Sequence, residues 1–600
     1  MRSLLGRFHR PMSRGLVNNM LTMNNLGDGS TLNLDFTTMG GVLDPRLTFS
    51  RASTATFVNS SGYVEYAGAN LLLQGSNLGN ATSWFGNGLT SRNASTDPNG
   101  SNEAVELNED ATNTVHAVIQ VTSQNFNGLV YTSTVYMKAG TNRTIGFMRD
   151  NNVSSDATVF YTLTGSGTAT IANGAYGIVA SINAVGGSWY RCVFTIKGAS
   201  TANVTIGTAK GTAYGDWSFA GTVGNSIHVW GAQLNPGSTA QTYYPTTTAA
   251  YHAPRFDYSP TNIGEPRGLL VEGQGINVCI YSQAIAGAGW NTTTGYTVTT
   301  NTTDLLSPAG DNTATKLVYT SGYARCIQTV NLAANTTYTM SYWIKSVMTH
   351  TFRVYDLTAG ADIASSIGSI PVTSSWTRVQ KTFTTGASTS SCWFYIAPDG
   401  GPTAGLTAYV WGAQVEAGSG ASSYIPTGAS QVTRNADHCT IPTASFIPGN
   451  PYPQTLFVDC IPNTPSGAFL DIARIFDRTG GGAFSYGTEI YYYTASTMTI
   501  QRKIAASTNT DRSLASGLAY GTRHKFALSI SASSFFGSYD GVTGLDATTA
   551  PAALATVATH LGIGCNGDSS PASVMFGTIR QIKFYPTALA QAQINALTAL

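Results

Sequence analysis

Two aromatic side chains, each two residues ahead of a lysine, have the chemistry that carbohydrate binding requires. Tyr136 and Lys138 lie in the segment YTSTVYMK, and Trp343 and Lys345 lie in the segment YTMSYWIK. Apolar residues alternate with Thr, Ser and Lys in both segments, so each ring shares the polar side of a strand with its lysine. An aromatic ring covers the apolar C–H face of a sugar, and charged or amide groups bind its hydroxyls. We therefore predict that these four residues bind carbohydrate. The alternative is that each ring packs beneath a loop or against a neighbouring subunit.

Other aromatic residues are weighed in the same way. Tyr492 is the middle residue of a Tyr-Tyr-Tyr run. Because neighbouring residues of a strand point to opposite faces, at least one of the three rings is exposed, and Tyr492 becomes a fifth candidate for sugar binding. Trp230 and Trp411 each follow a valine at the start of a Trp-Gly-Ala-Gln segment. This pattern favours core anchors over sugar platforms, and Trp189 and Trp376 are interpreted in the same way.

No arrangement of residues in the sequence predicts catalysis. The eight His residues show no HxH or HExxH spacing, and no GxSxG, P-loop or dinucleotide-binding fingerprint occurs in the required strand–helix context. Glycoside hydrolysis requires two carboxylates across a cleft, and the 30 acidic residues are dispersed along the chain. We therefore predict a protein that is not an enzyme and that has no catalytic residue, no cofactor and no metal site.

The composition is that of a β-rich protein with little charge. Charged residues make up 10% of the 600 residues, well below the ~25% usual for soluble domains, while 64 Gly and abundant Thr, Ser and Asn are typical of strands and tight turns. The net charge of +1 predicts no nucleic-acid binding. The absence of a run of ~18 apolar residues predicts no membrane insertion, and the N-terminus lacks the apolar stretch of a secretory signal. The seven Cys are odd in number and scattered, which favours buried free thiols.

An internal repeat organises the middle of the chain, since residues 67–250 (module 1) match residues 274–436 (module 2). The matched landmarks, in order, are Asn70 with Asn277, Trp84 with Trp290, the two segments that contain Tyr136 and Trp343, Trp189 with Trp376, Trp230 with Trp411, and Pro245 with Pro426. A loop insertion in module 1, between Lys138 and Trp189, accounts for its greater length. Period-two alternation, with Gly, Asn and Pro between the strands and no long helical pattern, predicts that each copy is a β-sandwich or jelly roll of roughly 170 residues.

The order of these landmarks resembles the carbohydrate-binding-module-like jelly rolls of bacteriophage tail and head fibre proteins. Module 2 continues the signature through VTRNAD at 432–437, and module 1 is a looser match. A second resemblance is to a structural element of phage proteins, which opens with FSRASTATF at 49–57 and GYVE at 62–65 and continues at 254–258 and 268–272. This resemblance implies that module 1 is inserted between the two pieces, as the neighbouring chain ends of a sandwich allow.

The C-terminal segment, residues 437–600, resembles a concanavalin-like (laminin-G-type) lectin sandwich. Apolar strands at 456–461 and 526–530 precede an Asp-Gly hairpin signal at 540–541. The stretch FGTIRQIKFYPTALAQ at 576–591 is similar to the last strand and short terminal helix of that family. Family members often bind sugars and some bind calcium, but no ligand cluster is carried over to this sequence.

Together these patterns predict a mostly-β protein with tandem β-sandwich or jelly-roll modules, a lectin-like C-terminal sandwich and little helix. The predicted divisions are an N-terminal virion-attachment segment (1–47), a linker element (48–66), module 1 (67–250), a second linker element (251–273), module 2 (274–436) and the C-terminal sandwich (437–600).

The resemblance implies a bacteriophage structural protein, a fibre or spike on the virion surface that is made in the host cytoplasm and binds host-surface glycans during adsorption. By the same analogy the N-terminal segment binds other virion proteins and the chain forms a homotrimer, in which duplicated weak sites gain avidity. Two alternatives stay open. A purely structural capsid-decoration or tail-adaptor protein would cover Tyr136 and Trp343 with neighbouring chains. A polysaccharide depolymerase would place two carboxylates about 5–10 Å apart in a cleft.

Overall fold

The fold is described from a computed structural model, in which the chain forms two compact units of antiparallel β-sheet. The first unit comprises Met1–Phe49, Pro266–Gly273 and Asp437–Leu600, and the second comprises Ser50–Glu265 and Gln274–Ala436. The structure describes residues 28–152, 157–173, 178–290, 292–399, 404–447, 453–463, 470–476, 487–494, 497–505, 508–547, 558–566 and 573–600. Strands dominate these residues and helix is scarce, so the predicted fold class is confirmed.

Module 1 is a sandwich of two six-stranded sheets in the second unit. Its front sheet, which carries Tyr136, has in order the strands Val179–Gly186, Trp189–Lys197, Val130–Ala139, Ser226–Pro236, Ala104–Glu109 and Leu89–Ser95. Its back sheet has in order Thr168–Ile171, Ala157–Thr162, Ile145–Asp150, Thr201–Thr208, Ala117–Asn125 and Phe85–Asn87, and a short pair joins Asn113–Val115 to Ser218–Ala220. Tyr131, Val135 and Met137 alternate toward the core between the sheets, as the period of two requires.

Module 2 repeats this sandwich with two five-stranded sheets. Its front sheet has in order Tyr296–Thr299, Thr315–Tyr319, Thr407–Ala417, Thr337–Ser346 and Thr373–Thr384. Its back sheet has in order Thr292–Thr294, Ala324–Asn331, Ser391–Asp399, Val354–Asp356 and Ala361–Asp362. A short pair joins His350–Phe352 to Gly368–Ile370, and Ala364–Ser366 is a 3-10 turn. The insertion predicted between Lys138 and Trp189 is therefore more than a loop, because module 1 has one strand more in each sheet.

The duplication extends to individual hydrogen bonds, as Asn70 and Asn277 show. Both side chains are fully buried. In each, the carboxamide N–H groups donate to two backbone carbonyls and the carboxamide oxygen accepts from two backbone N–H groups, all at 2.8–3.2 Å. The partners are Ala232, Tyr244, Leu72 and Leu234 for Asn70, and Ala413, Ile425, Cys279 and Val415 for Asn277. The same network in both copies joins the first strand of each module to its closing segment.

The two linker elements meet where the chain enters and leaves module 1. The entering strand Ala69–Asn70 pairs with the leaving strand Tyr251–His252. Asp257 Oδ1 accepts a hydrogen bond from the backbone N–H of Val58 at 2.8 Å, although the two residues lie 199 positions apart. The remaining strands here are the hairpin Thr56–Val58 with Val64–Tyr66, the strand Arg255–Tyr258, and the pair Gly275–Asn277 with Val432–Arg434. The neighbouring chain ends are those that an inserted module requires.

The first unit consists of two larger sheets. One has in order Pro266–Val271, Gly577–Tyr585, Gln454–Pro462, His524–Ile530, Phe535–Tyr539 and Val542–Ala547, and Leu32–Asp35 also pairs with Gly577–Tyr585. The other has in order Thr48–Ser50, His438–Pro442, His560–Ile563, Leu470–Phe476, Gly487–Thr494, Thr497–Ala505 and Thr508–Ala515. The remaining elements are a 3-10 turn at Thr443–Ser445 and the helix Gln591–Thr598, in which Ile594 is buried.

This unit includes short pieces of two of the predicted divisions. Leu32–Asp35, inside the predicted attachment segment, is a strand of the C-terminal sheet, with Leu32 and Leu34 fully buried. Pro266–Val271, inside the second predicted linker element, is another strand of that sheet. Both runs are short and therefore show too little alternation to be assigned to a core from the sequence alone. The rest of the attachment segment, residues 1–27, lies outside the described residues.

Three further expectations about this chain have structural outcomes. The Asp-Gly signal is a tight hairpin turn, in which Asp540 and Gly541 have φ of 44° and 82°. All seven cysteines are buried, as predicted. Within the part of the chain that the structure describes, no helix is long and apolar enough to span a membrane.

Candidate functional site

The two predicted aromatic–lysine pairs lie at matched positions on the front sheets. Tyr136 lies opposite Trp230 on one neighbouring strand and opposite Arg191 on the other. The corresponding residues of module 2 are Trp343, Trp411 and Arg378. Both rings and both lysines are half-buried. Since the residues next to them point into the core, the rings lie on the outer side of the sheet that the alternation predicted.

Each ring packs in a cluster of three aromatic side chains. In module 1 the ring centroids of Tyr136 and Trp230 lie 5.2 Å apart, and those of Trp230 and Tyr243 lie 4.9 Å apart. The corresponding distances in module 2 are 5.2 Å for Trp343 with Trp411 and 4.7 Å for Trp411 with Tyr424. Trp230 is 5% exposed and Trp411 is fully buried, so both are the core anchors that the sequence predicted.

A glycine in each Trp-Gly-Ala-Gln segment makes room for the ring. Gly231 and Gly412 have φ of +65° and +68°, and the strand register shifts beside each of them, which marks a β-bulge. A Cβ on Gly231 would lie 2.9 Å from the Tyr136 ring, and one on Gly412 would lie 2.8 Å from the Trp343 ring. Both the backbone conformation and the space above it therefore require glycine.

The closing segment of each module partly covers this cluster and is fixed by a glutamine. Gln414 Oε1 accepts a hydrogen bond from the backbone N–H of Ile425 at 2.8 Å, and Arg378 Nη1 donates to the carbonyl of Ser422 at 2.7 Å. Gln233 of module 1 accepts from Tyr244 in the same way, at 2.7 Å. The packing alternative for the predicted rings is thus realised in part, since a loop covers one side of each ring and the other side stays half-exposed.

The lysine side of the face differs between the modules, and in module 1 it is crowded. Lys138 Nζ lies 5.2 Å from the centroid of the Trp189 ring, which is 3% exposed and is a core anchor as predicted. His228 lies opposite Lys138 on the next strand, and its Nδ1 is 2.9 Å from Ser95 Oγ. Burial lowers the pKa of His228, and the neighbouring Lys138 charge lowers it further. This histidine therefore stays neutral at pH 7.

In module 2 the same side of the face is more open. Lys345 lies opposite Tyr409, which is half-exposed. Trp376 is also half-exposed, with its Nε1 donating to the carbonyl of Leu306 at 2.9 Å. The prediction that Trp376 is a core anchor was wrong, because its strand, Thr373–Thr384, is the edge strand of the sheet and most of its residues face solvent. Trp343, Lys345, Tyr409 and Trp376 form the front face of module 2.

Tyr492 does not belong to an accessible face. Its side chain is 2% exposed, and its ring lies 5.7 Å from that of Tyr520. Tyr491 is also buried, at 3%. These neighbours point to opposite faces of a strand that pairs on both sides, so both faces of the sheet are covered at this point. The side chain of Tyr493 lies outside the described residues. Tyr492 is therefore removed from the candidate carbohydrate site.

Two carboxylates come together in the first unit, but they are buried. Arg474 lies 3.3 Å from Asp471 and 3.1 Å from Glu489, and all three side chains are at most 11% exposed. Burial raises the pKa of Asp471, and the neighbouring Glu489 raises it further. No group of three or more His, Cys, Asp or Glu within the described ranges is arranged to hold a metal ion. The buried triad gives a polysaccharide no access to the carboxylates.

A cleft of about 120 Å³ lies between the two modules in the second unit. Tyr66, Pro236 and Gln241 line one side, and Asp311 and Trp411 line the other. Pockets for small molecules usually have volumes of about 300–1,000 Å³, so this cleft has room for a few water molecules rather than for a saccharide. The outer faces of the sheets are consequently better candidates for saccharide binding than this cleft.

Sequence reasoning missed one aromatic face, the outer side of the back sheet of module 2. Its rings come from Tyr323, Tyr355, Trp393 and Tyr395, and Arg325 and Arg353 lie among them. The strands that carry them include one of only three residues, Val354–Asp356, which is too short to show a period. The one available signal was the alternation of Trp393 and Tyr395 with buried neighbours in Ser391–Asp399.

Comparisons with known proteins give likenesses of fold only. No family model and no curated protein matches the chain. Among solved structures, it is similar to the CBM40 module of the Ruminococcus gnavus IT-sialidase bound to α2,3-sialyllactose, with 12% identity, a TM-score of 0.23, and coverage of 25% of this chain and 83% of that one. Domain 4 of AbnA, a GH43 extracellular arabinanase from Geobacillus stearothermophilus in complex with arabinotriose, has 12% identity, a TM-score of 0.22, and coverage of 30% and 82%.

The tandem CBM22-1–CBM22-2 domain of Paenibacillus barcinonensis Xyn10C is a third such structure. It has 10% identity and a TM-score of 0.21, and the match covers 61% of this chain and all of that one. At these scores and identities, none of the likenesses decides what this protein binds. The class of the protein is therefore defined by its own architecture, which is a mostly-β chain of sandwich modules.

Proposed function

We propose that this protein is a surface protein of a bacteriophage particle, a fibre or spike that binds host-surface carbohydrate through its duplicated sandwich modules. The observation that carries the carbohydrate part is the front face of module 2. Trp343 and Trp376 are half-exposed there on either side of Lys345. Indole rings beside a cation and hydroxyl groups supply both the stacking surface and the hydrogen-bond donors that a saccharide requires.

The phage part of the proposal is supported by the sequence motifs. Arg255 of the element at 254–258 donates a hydrogen bond to the carbonyl of Thr56, in the element at 49–57, at 3.1 Å. The closing signature of each module also has matching hydrogen bonds. The proposal places the protein on the virion surface, with residues 1–47 binding other virion proteins, host-surface glycans as the ligand and three chains in the assembly. It involves no enzymatic step, no cofactor and no nucleic acid.

Binding to a glycan array and to host cells tests the carbohydrate function. Purified wild type is compared with Trp376→Ala and Lys345→Ala, with Lys210→Ala as a control that removes an exposed lysine from the loop after the back-sheet strand Thr201–Thr208 of module 1. We expect saturable binding that weakens by roughly 10-fold in both front-face variants and not in the control. Circular dichroism verifies that each variant is folded. Absence of glycan and cell binding by folded wild type would contradict the proposal and favour a purely structural virion protein.

Location and assembly have separate tests. Mass spectrometry of purified particles and electron microscopy with an antibody to module 2 locate the protein on the head or tail, and light scattering measures the number of chains in the assembly. Release of reducing ends from host polysaccharide by the purified protein would instead support the depolymerase alternative. Absence of the protein from particles would contradict the phage assignment and leave the carbohydrate test unaffected.

A further inference from the structure

The outer face of the back sheet of module 2 carries a platform of aromatic rings and arginines. We call this group the back-face platform; its members are Tyr323, Arg325, Arg353, Tyr355, Trp393 and Tyr395. The Tyr395 ring is buried at 2% and forms the floor, while Tyr323 is 38% exposed and Tyr355 and Trp393 are half-exposed. The rings of Tyr355 and Trp393 stack at 5.5 Å with an interplanar angle of 27°. They make a nearly flat ledge on the sheet.

Arg353 holds the platform together and has its charge already matched. Its guanidinium carbon lies 4.7 Å from the Tyr395 ring and 5.5 Å from the Tyr323 ring. Nε donates to Asp362 Oδ1 at 2.7 Å, and Nη1 donates to the Tyr323 hydroxyl at 2.9 Å. With these partners satisfied, Arg353 orders the rings and leaves little capacity to bind a further anion.

Arg325 is different, because its guanidinium has no such partner. It lies 5.6 Å from the Tyr323 ring, and within the described residues neither a carboxylate nor a carbonyl accepts a hydrogen bond from it. Its Nε is buried and makes no hydrogen bond. An unpaired buried donor on a permanently charged group is unfavourable, and the planar guanidinium fork is complementary to a carboxylate. The site therefore lacks an anion that a ligand can supply.

The length of the platform sets the size of that ligand. Thr329 lies opposite Trp393, and Ile327 lies opposite Tyr395 on the same strand as Arg325. Since a strand rises about 3.3 Å per residue, the rows of Trp393 and Arg325 are about 13 Å apart along the sheet. This distance accommodates two to three pyranose rings, with an acidic sugar at the Arg325 end and another on the Tyr355–Trp393 ledge.

The described residues of module 1 form no equivalent site, because a loop of that module covers the corresponding face. Trp217 stacks on Phe160 at 6.1 Å, and Arg149 lies 4.7 Å from the Trp217 ring. Trp217 is 7% exposed and Phe160 is fully buried. The aromatic and arginine residues of that face are thus packed into a small core of their own. Of the two back sheets, that of module 2 is the one whose outer face is accessible to a ligand.

We propose that the back-face platform of module 2 is a binding site for an acidic saccharide, in which Arg325 pairs with the carboxylate of a uronic acid or another carboxylated sugar and the neighbouring pyranose stacks on Tyr355 and Trp393. The proposal rests on the carbohydrate-binding function but uses a face distinct from the front face of module 2. Because Asp362 already pairs with Arg353, Arg325 is the guanidinium of the platform that is left to receive the carboxylate of the ligand.

The test uses polysaccharides that contain uronic acid, each beside its carboxyl-reduced form, with binding measured by calorimetry on the full-length chain. Wild type is expected to bind the native polymer at least ~10-fold more tightly than the reduced one. Arg325→Ala removes that preference, Arg325→Lys restores only part of it, and Trp393→Ala weakens both polymers. Trp376→Ala of the front face and the control Lys210→Ala are expected to leave the ratio between the affinities for native and reduced polymer unchanged.

The outcomes separate this inference from the broader function. If wild type binds saccharides but shows no preference for the carboxylated form, or if folded Arg325→Ala keeps the preference, the back-face site is overturned while the carbohydrate function stands. If wild type binds no saccharide at all, both fail. A lower number of chains per assembly in Arg325→Ala also overturns the site, because it assigns the platform to a contact between subunits.

Discussion

Among single residues, the side chains repeated in both modules mainly hold the backbone together. Thr246 Oγ1 donates to the carbonyl of Leu72, and Thr427 Oγ1 donates to that of Cys279, at 2.6 and 2.7 Å. With the buried asparagines and the glutamines of the Trp-Gly-Ala-Gln segments, they join the two chain ends of each module. The buried Asn, Thr and Gln side chains of the repeat therefore specify the sandwich, whereas the proposed sugar contacts come from aromatic and lysine side chains on the outer face of the same sheets.

Replacement of Asn277 tests this structural role. Asn277→Ala leaves two buried carbonyls and two buried N–H groups without partners, so we expect the free energy of unfolding of the second unit to fall by about 3 kcal/mol. Asn70→Ala should have an effect of similar size in module 1, since its four hydrogen bonds are the same. Urea unfolding followed by tryptophan fluorescence measures both changes. A loss below about 1 kcal/mol in each variant would contradict the assigned role.

Two buried glutamates should give opposite pH dependence. Burial alone would raise the pKa of Glu109, but hydrogen bonds from Arg143, Thr222 and Thr208 outweigh it and hold the pKa below its usual value. The stabilisation from Glu109 is thus present above pH 4.5, the ordinary value, and is lost as the pH falls below it. Burial raises the pKa of Glu416, so its contribution is present below that pH and is lost as the pH rises through its raised pKa.

The variants Glu109→Gln and Glu416→Gln make this prediction measurable. At pH 7, Glu109→Gln should cost about 3 kcal/mol, because it breaks the buried pair with Arg143 at 2.5 Å, and the cost should shrink at pH 4. Glu416→Gln mimics the protonated acid, so its stability relative to wild type should improve from pH 4 to pH 7. Denaturant unfolding at pH 4 and pH 7 measures the free energy of unfolding of wild type and of both variants. Equal pH dependence of both variants would show that the opposite pKa shifts are absent.

The accessibility of the predicted sugar-binding residues could be only partly predicted from the sequence. Alternation gave the correct side of the strand for Tyr136 and Trp343, because the period of two is local. It could not show that Tyr243 and Tyr424 cover one side of those rings, since these residues lie 107 and 81 positions further along the chain. The back-face platform was invisible for the same reason: Arg353, Tyr355 and Trp393 meet only through strand pairing.

Among the secondary-structure elements, the β-bulge beside each Trp-Gly-Ala-Gln segment makes room for the ring of Tyr136 or Trp343 on the front sheet. The sequence predicted the strands, because ten-residue runs such as Val130–Ala139 alternate clearly. It did not predict the bulge, since a single glycine after a tryptophan does not alter the alternating pattern of the strand. It also did not predict the added strands of module 1, such as Thr168–Ile171, which has only four residues.

The bulge gives a prediction with a matched control. Gly412 and Gly360 both have φ of +68°, but a Cβ on Gly412 would lie 2.8 Å from the Trp343 ring, whereas one on Gly360 would meet nothing within 4 Å. Both alanine variants bear the backbone strain of about 1–2 kcal/mol, and Gly412→Ala adds the clash. We expect Gly412→Ala to be less stable than Gly360→Ala by at least about 1 kcal/mol, with altered tryptophan fluorescence. Equal stability of the two variants would mean that Trp343 moves away freely.

For the molecule as a whole, the two units are interleaved in sequence. The first unit is built from three separate pieces of chain, and the second unit from two. The terminal strand Leu32–Asp35 and the strand Pro266–Val271 both pair with Gly577–Tyr585, near the other end of the sequence. Such long-range pairing closes large loops, which is slow to form, and it makes each unit cooperative across its pieces. The cysteines allow the two units to be followed separately.

Thiol labelling during unfolding should report each unit through its own cysteines. Cys439, Cys460 and Cys565 lie in the first unit, and the other four, Cys192, Cys279, Cys326 and Cys392, lie in the second. All are buried, and burial raises the pKa of thiols such as Cys192 and Cys460, so the native protein should react with none of its seven at pH 8. As the urea concentration increases, mass spectrometry of labelled peptides should show that the three thiols of the first unit react over one range of concentration. The four thiols of the second unit should likewise react together. A thiol is exposed only when the sheet that buries it opens. Labelling of a single thiol in the native protein, or thiols from both units that react together, would therefore contradict the division of the chain into two units.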